Sequence, residues 1–183
     1  TWLASIASLQ EWDSLMLYGY GQHPLNSMNK GSNYSTFNDP SLMAMMPASA
    51  ILYRQGHISK AKKHYHIRLS ESDFFGKKNT PETSASIRTL VEQSKMSIDL
   101  PYSSALPWLQ SFERGMDESY DENSPHHITV TNANIDFIPV GRTQIVSDTN
   151  EITRDWQKGI HIINTTKSQI VSGRIGSKTL TLQ

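Results

Sequence analysis

The sequence predicts an α+β fold: the last strand and helices of a (β/α)8 barrel, followed by a β-sandwich-like domain. Three observations carry this expectation. Within residues 1–56 a helix-like run, a short apolar stretch, a long polar loop and a strongly signalled helix follow one another. That order is the repeat of a (β/α) barrel. The character of the chain then changes at Gly56, and short β-compatible segments dominate from His64 onward. Their regular spacing suits a sandwich or a small barrel. The expected division is 1–60 for the barrel end and 61–183 for a β-rich accessory domain.

Composition narrows the function classes. The 183 residues carry 17 basic and 17 acidic side chains, so nothing in the charge favours nucleic acid or an anionic membrane as a partner. There is no cysteine, which removes disulfides and thiolate metal sites. No run approaches the roughly 18 apolar residues that a membrane-spanning helix needs. The chain opens at Thr1 inside an amphipathic pattern, which reads as a piece of something longer.

Residues Trp2 to Trp12 place Leu3, Ile6, Ala7 and Leu9 near helical spacing. Ser14 to Tyr18 is short, apolar and β-compatible, and is expected to be a buried strand. Gly19 and Gly21 suit a backbone bend or close approach to a ligand. Gln22 to Asn38 is a polar loop with His23, Tyr34 and Phe37, longer than most loops without a task. Asp39-Pro40 is a helix start, with Asp as cap and Pro at the first helical position. The helix should run to Gln55 and stop at Gly56. Its Leu42, Met43, Met45, Met46, Ile51 and Leu52 predict substantial burial, with the methionines as adaptable filler. Pro47 should kink it.

His64 to Leu69 alternates with period two, which puts His64 and His66 on one strand face. Zinc would need a third ligand, which the sequence does not place, so cross-strand histidines are expected. Ser70 to Gly76 reads as a short capped helix, Ser86 to Lys95 as another, and Met96 to Leu100 as a strand. Asp117 to Asn123 is acidic but lacks EF-hand spacing, and reads as a solvated loop. His127 to Thr131 and Ile145 to Ser147 are expected strands. Glu151 to Trp156 and Ile160 to Asn164 form a hairpin with Gly159 in the left-handed position. Ser168 to Val171 and Lys178 to Leu182 complete the β-rich part.

These residues carry a resemblance. Ser8-Leu9-Gln10-Glu11-Trp12-Asp13, Tyr18-Gly19-Tyr20, Phe37-Asn38-Asp39-Pro40 and Met46 to Gly56 resemble the end of the barrel in clan A glycoside hydrolases of the agarase and β-galactosidase-like kind. Val146-Ser147-Asp148-Thr149-Asn150-Glu151 and Trp156-Gln157-Lys158-Gly159, with Ile163 to Gln169, are similar to the β-domain that follows such barrels. The motifs are structural rather than catalytic.

The resemblance implies the seventh helix at Trp2 to Trp12, the eighth strand at Ser14 to Tyr18 and the eighth helix at Asp39 to Gln55. It implies a carbohydrate substrate, no cofactor and no metal. The two glutamates of a retaining mechanism, about 5 Å apart, would lie upstream of Thr1 in an N-terminal barrel portion that this chain lacks. Such a hydrolase would work outside the cell or in a periplasm. The catalytic residues in this chain are therefore unknown. The expected substrate contacts are Tyr18, Tyr20, Gln22, His23 and Asn26, where a barrel strand runs out toward the active face. Tyr20 is expected to be the more exposed stacking residue. Glu11, at the opposite barrel end, is expected at the surface, and Asp13 and Asp155 in structural roles. An alternative is a non-catalytic carbohydrate-binding or interaction domain, with Trp108, Trp156, Tyr102 and Tyr120 as its platform.

Overall fold

Helix α1 (Trp2–Gln10) forms where apolar residues recur at helical spacing, and it buries Ala4, Ile6, Ala7, Leu9 and Gln10. It stops at Glu11, whose left-handed φ of 58° ends the helical path. The computed structural model describes residues 1–17, 19–21, 36–37, 39–75, 85–99, 123–132, 135–138 and 140–176. Several expectations lie outside those residues: Tyr18, Gln22, His23 and Asn26, most of the 22–38 loop, the acidic 117–122 stretch, the aromatics Tyr102, Trp108 and Tyr120, and the strand at 178–182.

Helix α2 (Pro40–Arg54) begins as its sequence dictates: Asp39 Oδ1 accepts the Leu42 N–H at 2.9 Å, and Pro40 needs no partner. Past its last turn, Gly56 adopts φ +56°. Lys167 Nζ donates to the carbonyls of Gln55 and Gly56, both at 3.2 Å, and so places a cation at the negative end of the helix.

Strand β1 (His64–Arg68) is followed by two short helices, α3 (Glu71–Phe75) and α4 (Ala85–Leu90), and then by β2 (Lys95–Asp99). The helical crossover returns the chain in the same direction, so β1 and β2 are parallel. Strand β3 (His127–Val130) joins the other edge of β1, also parallel, giving the order β2-β1-β3. The second sheet is antiparallel: β4 (Gln144–Val146), β5 (Ile152–Asp155), β6 (Ile160–Asn164) and β7 (Gln169–Gly173), in chain order. The β5–β6 hairpin turns through Gly159 at φ +68°.

Two apolar clusters hold these elements. Ala4, Ile6 and Leu9 of α1 pack with Leu52 of α2, Ile58, and Ile152 and Ile163 of the antiparallel sheet. This cluster draws on both sides of residue 60. Ile67, Leu69, Ile87, Leu90 and Val130 form the second, under the parallel sheet and α4.

The fold is thus mixed α and β, as expected, and three finer expectations are corrected. Ser14–Leu17 is not a buried strand: it pairs with no strand among the described residues, and Met16 is 88% exposed and Leu17 51%. A strand exists only through its neighbours' ladder, and among the described residues none lies beside this segment. Helix α2 is not substantially buried, because only Leu52 is fully covered. Its apolar residues outnumber the surfaces that meet them. Among the described residues the two sheets do not pack as a sandwich, since neither apolar cluster draws on both of them. The spacing of strands does not encode the helical crossover between β1 and β2, which makes that sheet parallel.

Candidate functional site

Of the five substrate contacts expected from sequence, Tyr20 is described. It stands 56% exposed, with its ring centroid 6.0 Å from that of Phe37. Its carbonyl accepts the N–H groups of Thr36 and Phe37, both at 3.0 Å. The buried Thr36 adds a hydroxyl bond to the Gly19 carbonyl at 3.3 Å. These bonds close the base of the loop, so the Tyr20 ring is presented from a fixed backbone.

Glu11 is a surface ion-pair residue. Its carboxylate meets Lys95 at 2.9 Å and Lys60 at 3.7 Å. The hydrogen bond from Lys95, with the charges of both lysines, holds its pKa below the usual carboxylate value. Asp155 is buried and accepts the Lys158 N–H at 2.8 Å, which fixes the turn that opens the β5–β6 hairpin.

Parallel pairing supplies the third histidine that the sequence left unplaced. His127 on β3 lies beside His64 on β1, and ring centroids are 4.0 Å apart for His64 and His66, 5.7 Å for His64 and His127, and 5.8 Å for His66 and His127. Ser97 Oγ bonds both His64 Nε2, at 3.0 Å, and His66 Nδ1, at 3.1 Å. This is a cross-strand polar network. Among the described residues no group of three or more His, Asp or Glu side chains is arranged to hold a metal ion.

A groove of about 390 Å³ opens at the hairpin end of the antiparallel sheet. Register builds it. Ile145, Arg154, His161 and Ser172 are successive cross-strand partners on β4 to β7. They share the face of Ile152, because residues two apart on a strand point the same way. Further along that face lies the apolar cluster with α1; here it carries polar groups. Trp156, 41% exposed, stands where β5 ends, and Arg174 follows β7. Gly159 and Gly173 form the floor. A Cβ at Gly173 would meet the Gly159 carbonyl at 2.3 Å, so a side chain there is excluded by backbone.

The electrostatics of this groove are cationic. Arg154 Nε donates to Glu92 at 2.7 Å, and the Glu92 side chain is only 8% exposed. Burial raises the Glu92 pKa, and Arg154 opposes that rise. His161 is buried, and neither ring nitrogen has a hydrogen-bond partner among the described residues. Burial first, then the positive charges of the N-terminal amine and Arg154, lower its pKa to about 4, so the ring is neutral near pH 7. A neutral imidazole offers one donor and one acceptor. Of the groove residues, Trp156 is the one that the sequence marks as a binding candidate. The signal for the rest was the hairpin register itself, since fixing Gly159 in the turn sets Arg154 opposite His161.

No protein-family profile matches this sequence, and comparisons with curated proteins and with solved structures return no match.

Proposed function

We propose that this chain is the C-terminal part of a glycoside hydrolase acting on poly- or oligosaccharide, supplying cleft-wall contacts while the catalytic glutamates lie upstream. One observation carries the reading: the apolar surface left open across residues 2–51. Trp2, Leu3, Trp12, Met16, Leu17, Leu42, Met45 and Ile51 are each between 37% and 88% exposed. Large exposed apolar surface marks an interaction face. The occupant that fits is the rest of a barrel, whose strands would flank Ser14–Leu17 and whose helices would cover α2. In such a barrel Tyr20 and the loop after it stand at the substrate end. A hydrolase of this kind works on extracellular or periplasmic glycans. Among the described residues, no helix is long and apolar enough to cross a membrane.

The experiment is complementation. The chain alone should turn over neither nitrophenyl glycosides nor agar-type polysaccharide. Co-expressed with the coding sequence upstream of it, it should join an active complex, and amide exchange of α2 should slow. Robust turnover by residues 1–183 alone, abolished by Glu11→Gln, would end the proposal.

The groove beside Trp156 favours a second reading, a non-catalytic carbohydrate-binding role for the β-rich part. The two separate by substitution in the whole chain: Trp156→Ala weakens glycan binding under the second, Tyr20→Ala under the first.

A further inference from the structure

We propose that the groove at the end of the antiparallel sheet is a binding subsite for a saccharide unit that carries an anionic group, a carboxylate or a sulfate. The saccharide part rests on the carbohydrate reading above; the anionic part rests on the groove alone.

The groove has the parts such a ligand needs. Trp156 offers an exposed aromatic ring at one wall, and sugar C–H faces pack on aromatic rings. Arg154 and Arg174 supply two guanidinium groups to the lining. Arg154 spends Nε on Glu92, and its terminal nitrogens make no hydrogen bond among the described residues. The Arg174 side chain folds over Gly159, where its Cδ lies 3.0 Å from the place a Cβ would take. The absence of a side chain at Gly159 leaves room for that stem beside the groove. Asp155, the one lining carboxylate among the described residues, is buried and engaged with Lys158 by its N–H at 2.8 Å and its ammonium at 3.6 Å. The anion-binding groups thus outnumber the free negative charge.

His161 is the second, independent observation. A buried polar atom without a partner is rare, because it forfeits the hydrogen bonds it made to water. Here both nitrogens of one ring are in that state, buried just behind the groove that His161 lines. Once the groove wall gives enough to admit them, bound hydroxyls satisfy a neutral imidazole in both senses, one donating and one accepting. A bare inorganic anion satisfies only the donor. The pairing of guanidinium groups, a neutral imidazole and an aromatic face therefore selects a ligand with charge, hydroxyls and a flat apolar surface together. The volume of about 390 Å³ is at the small end for a ligand site, and suits one or two sugar rings.

The test is titration of the intact chain, by calorimetry and by the 15N shifts of the His161 ring. The ligands are a uronate oligosaccharide, a sulfated oligosaccharide, their neutral counterpart and inorganic sulfate. The expected result is binding of at least one anionic oligosaccharide, with the His161 nitrogens shifting. Arg174→Gln and Trp156→Ala should each weaken it about tenfold, the scale of one charge-assisted bond or one stacking face. Both residues lie at the surface, and circular dichroism checks that the variants fold. Equal binding of the neutral oligosaccharide would overturn the anionic part. Equal binding of inorganic sulfate would overturn the saccharide part and with it the second reading above. No binding by any ligand, or binding that leaves His161 unshifted, would overturn the whole. The titration needs no catalysis, so failure of barrel complementation leaves its outcome standing.

Discussion

Acid should destabilise this protein through His161 before its carboxylates are neutralised. The histidine pKa is about 4 in the fold, against the ordinary 6.5. Between those values the unfolded chain binds a proton that the folded chain refuses. Stability therefore rises with pH across the window, is fully present above about 6.5, and is lost as pH falls toward 4. At about 1.36 kcal/mol per pH unit the whole window is worth about 3 kcal/mol, and roughly 2 kcal/mol is gone by pH 5. The neighbours fix the sign. Arg154 and the N-terminal amine both oppose a charged imidazole, whereas Asp155 at the groove is engaged with Lys158. Glu92 runs the other way: its raised pKa means that the fold accepts a proton there more readily as pH falls. The perturbation is His161→Phe, which removes the titrating ring and keeps an aromatic volume. The assay is urea unfolding at pH 7.5, 6.5, 5.5 and 5.0 for both proteins. The variant should lose about 2 kcal/mol less than the parent between pH 7.5 and 5.0. Parallel stability curves would refute the reasoning, for they would mean that the His161 ring titrates as it does in water.

Other expectations follow from single contacts. Gln10 is buried, donates from Nε2 to the carbonyls of Val91 at 2.7 Å and Ser94 at 2.5 Å, and accepts the Met96 N–H at 2.9 Å. Gln10→Leu leaves these backbone groups unpaired and should cost about 2–4 kcal/mol in urea unfolding. Gly173→Ala forces a Cβ against backbone at a φ of +115°, and should lower the melting temperature far more than alanine at exposed Gly176 does. In a complete enzyme, Tyr20→Ala should lower affinity roughly threefold to tenfold, as loss of an aromatic face does. Glu11→Ala, which removes exposed ion pairs, should leave kcat/KM unchanged and cost under about 1 kcal/mol of stability.

What was legible in the sequence was local chemistry. Asp39-Pro40 announces a helix start because cap and imino acid act within one turn. Gly159 announces the hairpin because only its backbone freedom closes the turn. What was not legible depends on partners distant in sequence. The direction of β2 is set by α3 and α4 between it and β1, which the strand spacing does not encode. The coverage of α2 depends on which surfaces lie against it: an apolar helix reads as buried wherever its partners are. The groove was half legible. Trp156 stands out as an aromatic in a turn, but Arg154 and His161 look like ordinary members of alternating strands. Only the Arg154–His161 register, with α1 behind it, makes them neighbours in a buried wall.

The β-rich part should not fold when cut away from residues 1–60. Division at residue 60 is natural in the text of the chain, but the apolar cluster runs through it. Ile152 and Ile163 of the antiparallel sheet pack with Leu9 and Leu52, and all four are at most 1% exposed. Excision removes Ala4, Ile6, Leu9, Leu52 and Ile58 together from that cluster. Losing even one buried leucine to alanine costs about 2–5 kcal/mol, and a whole domain is stable by only about 5–15 kcal/mol. The polar ties point the same way. The Asp148 carboxylate accepts the N–H groups of Lys62 and Lys63, at 3.0 and 2.9 Å, and the Ser94 hydroxyl at 2.9 Å. Glu151 accepts from the Ser59 N–H at 2.7 Å and its hydroxyl at 3.0 Å. The linker is thus stitched to the turn between β4 and β5. Expressed alone, residues 61–183 should give a poorly dispersed amide spectrum for the antiparallel sheet and bind a hydrophobic dye, while the whole chain shows protected β5 and β6 amides. A cooperative unfolding transition and a dispersed β5–β6 spectrum in the truncated chain would refute a shared core, and would make the β-rich part a separable module.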